Sequence, residues 1–126
     1  KITDQGMKSV GRIEHLQVLG LSRTQVTDKG LAELKGLTKL KDLYLGDTNV
    51  TDAGLDSLSH MENLETLLLD QLPVTDAGLA RLAGLKKLNL VRCVNSRVTE
   101  EGAVQFRKMN PNCRVQWREG WEGIGD

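Results

Sequence analysis

Advancing by 24 residues from almost any apolar position in this sequence lands on another apolar position. Ile2 is followed by Val26, Val50, Val74 and Val98, Met7 by Leu31, Leu55, Leu79 and Ala103, and Val10 by Leu34, Leu58, Leu82 and Phe106. Further columns run Ile13/Leu37/Met61/Leu85/Met109, Leu16/Leu40/Leu64/Leu88, Leu19/Leu43/Leu67/Val91/Val115, Leu21/Leu45/Leu69/Cys93/Trp117 and Thr24/Thr48/Leu72/Ser96. Self-similarity at a fixed period of this size marks a repeat array, in which no unit buries its apolar face alone and each is stabilised by its neighbours. A chain built this way stacks its units in sequence order around one continuous core.

Within a unit the spacing changes halfway. Leu31, Leu34 and Leu37 are three apart, as on one face of a short helix, whereas Leu43 and Leu45 are two apart, as on a strand with one buried face. Each unit therefore predicts one helix and one strand. Strands that all run in one direction must pair in parallel about 4.8 Å apart, while helices need roughly 10 Å. The helical side has to spread, and the expectation is a right-handed, curved α/β solenoid with a concave parallel sheet and convex short helices.

The run Leu40-x-x-Leu43-x-Leu45-x-x-Thr48, with Val26-Thr27-Asp28-x-Gly30-Leu31 ahead of it, resembles the leucine-rich repeat, with threonine where many members carry asparagine or cysteine. The 24-residue form resembles bacterial, planctomycete-type members and is similar to ribonuclease-inhibitor-like repeats. Pro111-Asn112-Cys113 ahead of the last apolar pair resembles the closing strand of bacterial members. The resemblance implies one domain over 1–126, with repeats 2–25, 26–49, 50–73 and 74–97, a C-terminal cap repeat 98–117 and a tail 118–126. The tail is glycine-rich and charged, and Trp121 is expected to fold back over the cap. It also implies a recognition module and not an enzyme. Lys1-Ile2-Thr3-Asp4 is already in register as the start of a unit, which predicts that the repeats belong to a longer chain.

Charge narrows the partners. Seventeen basic and seventeen acidic side chains cancel, so the broad positive potential on which nucleic-acid binders rely is absent. No apolar run approaches the roughly 18 to 20 residues of a membrane span. Apolar residues make up 39% of the chain but aromatics only 3%, so the core has to be aliphatic.

Residues able to do chemistry are scattered. Thr-Asp opens the first four units and Thr99-Glu100 the fifth, which predicts helix capping by the hydroxyl and a favourable carboxylate at the helix dipole. With one carboxylate per unit, no oxygen shell for a calcium ion assembles. The glycines at 6, 30, 54, 78 and 102 fall in the first helical turn, where each costs about 1 kcal/mol relative to alanine, so close approach of neighbouring backbones is expected there. Gly36 and Gly84 fit left-handed caps at helix ends. Cys93 lies in a core column and Cys113 four residues out of register with it, roughly 13 Å along a strand, too far for a disulfide. His15 and His60 share no offset with each other or with a cysteine, and no nucleophile elbow occurs. No cofactor or metal site is expected.

The residues alternating with the buried pair have no packing duty. They form the columns Val18/Asp42/Thr66/Leu90/Arg114, Gly20/Tyr44/Leu68/Arg92/Gln116 and Ser22/Gly46/Asp70/Val94/Arg118. Acid gathers at one end, with Asp42 and Asp47, and base at the other, with Arg92, Arg114 and Arg118. Tyr44, Leu68, Leu90 and Val94 lie between as apolar side chains on a solvent-facing sheet, the pattern of a binding patch, and tyrosine and arginine are favoured anchors of interfaces. Asp42, Tyr44, Leu68, Asp70, Leu90, Arg92, Val94 and Arg114 are therefore the candidate partner-binding residues, for a protein or peptide. The alternative is a regulatory or structural repeat segment appended to a larger enzyme or sensor chain.

Overall fold

The computed structural model describes residues 2–119; the expectation for Trp121 lies outside them. Five helices alternate with five strands: α1 (Asp4–Val10), β1 (Val18–Gly20), α2 (Asp28–Leu31), β2 (Asp42–Tyr44), α3 (Asp52–Leu58), β3 (Thr66–Leu68), α4 (Asp76–Ala80), β4 (Leu90–Arg92), α5 (Glu100–Met109) and β5 (Arg114–Gln116). A 3-10 turn over Ala32–Leu34 extends α2. The strands form one parallel sheet in the order β1-β2-β3-β4-β5, and its register repeats the sequence period, pairing Leu19 with Leu43, Leu43 with Leu67, Leu67 with Val91 and Val91 with Val115.

Three residues per strand understate the ladder. Leu21, Leu45, Leu69 and Cys93 each donate their N–H to the next strand's last carbonyl, at 2.8, 2.9, 2.6 and 2.8 Å. At the entry to β2, β3 and β4 one carbonyl accepts two successive amides: Gln17 from Lys41 and Asp42, Lys41 from Glu65 and Thr66, and Glu65 from Asn89 and Leu90. The backbone polar groups of the sheet are thereby satisfied between repeats, as buried amides must be.

The core runs between sheet and helices. Leu43, Leu45, Leu67, Leu69, Val91, Cys93 and Val115 face into it from the strands and Leu31, Leu34, Leu55, Leu58, Leu79, Leu82 and Phe106 from the helical side. Tyr44 and Leu68 are on the other face and half-buried, so the expected alternation holds. Several columns lose burial at the ends of the array. Ile13 is 51% and Met109 57% exposed, although Leu37, Met61 and Leu85 in the same column are buried. Ile2 is exposed too, and Val10, Leu16 and Leu19 are only partly buried against the core. A column residue is covered by its neighbours before and after it, and the first and last members have one neighbour only.

The Thr-Asp pair does more than cap a helix. Thr27, Thr51 and Thr99 accept from the first-turn amides of Lys29, Ala53 and Gly102, but Thr3 and Thr75 make no such bond. The recurring feature is instead a clasp between repeats. Asp4 accepts from the N–H of Thr27 at 2.8 Å and from its hydroxyl at 2.5 Å. Asp28 holds Thr51 in the same way at 2.7 and 2.6 Å, Asp52 holds Thr75 at 2.8 and 2.5 Å, and Asp76 holds Thr99 at 2.8 and 2.6 Å.

The clasp explains the glycine column and corrects its reading. A Cβ at Gly30, Gly54, Gly78 or Gly102 would lie closer than 3.0 Å to the carboxylate of Asp4, Asp28, Asp52 or Asp76 respectively. What approaches is therefore the previous repeat's side chain and not its backbone. Gly36 and Gly84 do not have the positive φ expected of left-handed caps, and a Cβ at either would meet nothing within 4 Å. The left-handed residues are Arg23, Asp47, Gln71 and Asn95, with φ of 62, 56, 63 and 60°. Each follows its strand and turns the chain out of the sheet, and the N–H groups of Arg23, Asp47 and Gln71 then donate to Gly46, Asp70 and Val94 of the next unit.

Candidate functional site: the open face of the sheet

The strand register brings Tyr44, Leu68 and Arg92 side by side, since Tyr44 pairs with Leu68 and Leu68 with Arg92. Asp42, Thr66, Leu90 and Arg114 form the adjoining row in the same register. At about 4.8 Å per strand each row is a continuous path across the sheet. Asp42, Tyr44, Leu68, Leu90 and Arg92 are half-buried and Arg114 is exposed. The bareness of Gly20 leaves room beside Tyr44, whose ring edge would lie 3.7 Å from a Cβ there.

Asp70 and Arg92 are already engaged with each other. Arg92 Nε lies 2.8 Å from Asp70 Oδ2, but its N–H is not aligned on that oxygen, so the contact is an ion pair without a hydrogen bond. The other carboxylate oxygen accepts from the Val94 N–H at 2.9 Å. Both side chains keep substantial exposure, and an ion pair in that setting contributes about 0 to 1 kcal/mol. Its larger effect is positional, because it holds the guanidinium beside Leu68 instead of letting it sweep through solvent.

Val94 does not belong to the site. It is only 4% exposed, because it has left β4 for the turn that Asp70 ties down through the Val94 amide. Its place in the outward column does not survive that turn. The charge gradient does persist: exposed Asp47 stands beyond β2 and exposed Arg114 and Arg118 at the last strand, with the Arg118 guanidinium 4.9 Å from the Trp117 ring centroid.

Catalytic chemistry has little to work with among the described residues. No three His, Cys, Asp or Glu side chains gather where they could hold a metal ion. Cys93 and Cys113 are free and buried; burial pushes the Cys93 thiol up to about 12 and the Cys113 thiol up to about 11, so neither is a thiolate at neutral pH. Sequence reasoning missed a groove of about 640 Å³ on the helical side, lined by Ala80, Ala83, Phe106 and Met109 among others. Its only signal was Met109, an apolar residue at the end of a column. Among the described residues no helix is long and apolar enough to cross a membrane.

Known proteins share this architecture. The Leucine Rich repeat family model matches residues 13–35 and 36–59. Internalin C2 from Listeria monocytogenes superposes with a TM-score of 0.74 at 28% identity over 87% of this chain. The fold is a leucine-rich repeat solenoid. An internalin named inlF from the same organism gives a TM-score of 0.74 at 18% identity over 91% of the solenoid. The leiomodin-1 actin-binding site 2 gives 0.67 at 14% over 97%, and the solenoid covers 79% of that chain. It spans 45% of the internalin C2 chain and 31% of the inlF chain. No curated protein matches the sequence.

Proposed function

We propose that the solenoid is a non-enzymatic recognition module whose open sheet binds a protein or peptide segment laid across the strands. The observation that carries this reading is the row Tyr44–Leu68–Arg92, half-exposed on a face with no packing duty. An aromatic ring, an aliphatic side chain and a guanidinium held by Asp70 are the residue types in which interface energy concentrates. Asp42, Leu90 and Arg114 extend the surface. A net charge of zero favours protein over nucleic acid as partner. One structural neighbour is itself named as an actin-binding site, which supports protein recognition by this architecture without naming a partner here. A bacterial origin and a ribonuclease-inhibitor-like repeat type, implied by the repeat motif, belong to the same proposal.

The test begins with isolation of a partner by pull-down and continues by calorimetry. Tyr44→Ala and Arg92→Ala should each weaken binding by about 2 kcal/mol, the usual scale for an interface anchor. Lys35→Ala and Lys39→Ala, on the exposed helical side, should leave it unchanged. Binding that survives both sheet substitutions and fails with the lysine changes would move the site to the helical side.

A second reading, a regulatory or structural segment within a longer chain, is supported by the solenoid's spanning less than half of either internalin chain. The complete reading frame of the gene tests it, since an adjoining enzymatic or sensor domain is what that reading requires.

A further inference from the structure

The open face of the sheet carries charge that the solenoid itself does not use. The carboxylates at the helix starts have a structural task, since Asp4, Asp28, Asp52 and Asp76 each hold the threonine of the next repeat. Asp42 has none. It is half-buried on β2, yet its carboxylate accepts no hydrogen bond, and the one ion pair among the described residues is that of Arg92 with Asp70. Arg114 on β5 is exposed, and its guanidinium is equally unengaged. Arg92 turns its Nε to Asp70, while its two terminal nitrogens, able to hold a carboxylate as a fork, donate no hydrogen bond among the described residues. A charged group that has lost part of its water and gained no partner is held at a cost.

The register sets these groups at fixed spacings. Arg114 pairs with Leu90 and Gln116 with Arg92, so the two arginines sit on neighbouring strands about 8 Å apart at the backbone, and one carboxylate from outside reaches both. Asp42 lies in the same row as Arg114 and three strands away, a distance of about 14 Å. Leu68 and Leu90 lie between. An extended chain advances about 13 Å in four residues, and its alternate side chains face the same way. A helix fits poorly, because about 14 Å is some nine residues of helix, and residues nine apart lie on opposite faces.

Resting on the reading of this sheet as the recognition surface, we propose that its partner is an extended segment that places an acidic side chain between Arg92 and Arg114, an apolar one over Leu68 and Leu90, and a basic one over Asp42. The segment then reads acidic-x-apolar-x-basic, in either chain direction. Charge complementarity fixes which end lies over which strand, and the spacing fixes the extended form.

The test uses the whole chain and a displayed library of random heptapeptides joined to their carrier at the C-terminus, so that side chains supply the only carboxylates. Clones that bind the chain and are lost with Tyr44→Ala report on the sheet. The acidic-x-apolar-x-basic pattern should be enriched among them. Arg114→Glu should weaken them about tenfold or more, with Tm unchanged because Arg114 is exposed. Exchanging a clone's acidic residue for lysine should restore binding to the chain carrying Arg114→Glu, and exchanging its basic residue for glutamate should restore binding to the chain carrying Asp42→Lys. Clones that need Tyr44 but are indifferent to Arg114→Glu and Asp42→Lys would overturn this inference and leave the recognition surface standing. Clones that ignore Tyr44, or a library that yields none, would overturn both.

Discussion

The two ends of the solenoid are made from the same repeat and differ in how they meet solvent. At the β1 end Ile2 and Ile13 are exposed, and a Cβ at Gly6 would meet nothing within 4 Å. At the β5 end the helix lengthens to ten residues, Phe106 is buried and Trp117 packs against the core where the interior repeats have leucine or cysteine. Asn110 is buried there and donates to the Leu85 carbonyl at 3.1 Å. The last repeat substitutes larger and polar side chains at positions where the first keeps the pattern of the interior units. In a quasi-one-dimensional protein most of a repeat's stability is interfacial, so identical residues should differ in worth according to how many neighbours they have.

The sharpest form of that comparison is a pair of core truncations. Leu67→Ala, buried between β2 and β4, should cost about 3 kcal/mol in urea unfolding, and Leu19→Ala, partly buried on β1, about half of that, because truncation cost scales with the enclosed volume lost. Equal costs would break the comparison. Next in size is the clasp glycine. Gly78→Ala forces a methyl against the Asp52 carboxylate and should destabilise by about 2 kcal/mol, within the range for overpacking.

The third prediction concerns acid. Burial raises the Asp4 carboxyl, but the Thr27 hydroxyl, the Thr27 and Gly30 amides and the charge of Lys29 outweigh it and hold the group below its ordinary value of 3.8. A carboxylate depressed in the folded state adds stability that is complete above the unfolded pKa and is lost as pH falls through the lower folded one. Stability should therefore decline as pH falls from about 5 through 3.8 and below. Asp4→Asn should flatten part of that decline, measured as urea midpoint against pH, and an unchanged slope would show that the first clasp is not charge-dependent.

The smallest effect marks where the comparison stops applying. Left-handed geometry at Arg23 and Gln71 belongs to the turn and not to the number of neighbours. Arg23→Gly and Gln71→Gly should each raise stability by up to about 1 kcal/mol, the strain of a side chain in that region, reduced by the added freedom of glycine in the unfolded chain. A gain at one position without the other would tie the strain to the ends after all.

Much of this architecture was legible because a repeat states its facing rule several times. Leu43 and Leu45 inward with Tyr44 outward is ambiguous in one strand but not in four aligned ones. Junction chemistry was less legible. Thr27 and Asp28 sit together in sequence, so they read as one cap, yet in space Asp28 serves Thr51 and Thr27 is served by Asp4. The pointer was present as a glycine recurring 26 residues after each aspartate, but only coordinates show which atom fills the space. The left-handed turns escaped because arginine, aspartate, glutamine and asparagine occupy them and glycine occupies none. Within the candidate site, alternation placed Tyr44, Leu68 and Arg92 correctly and Val94 wrongly, since period-two reasoning ends where the strand does.

The clasp has a consequence for how such a wall can grow or shrink over generations. Each one joins an aspartate to a threonine 23 positions later, and none bridges two junctions. An in-frame duplication of a whole unit therefore creates one new clasp without disturbing the others, and an in-frame deletion removes one in the same way. An array joined this way can therefore change length by a whole unit and keep every remaining junction, so the width of the sheet varies in steps of one strand.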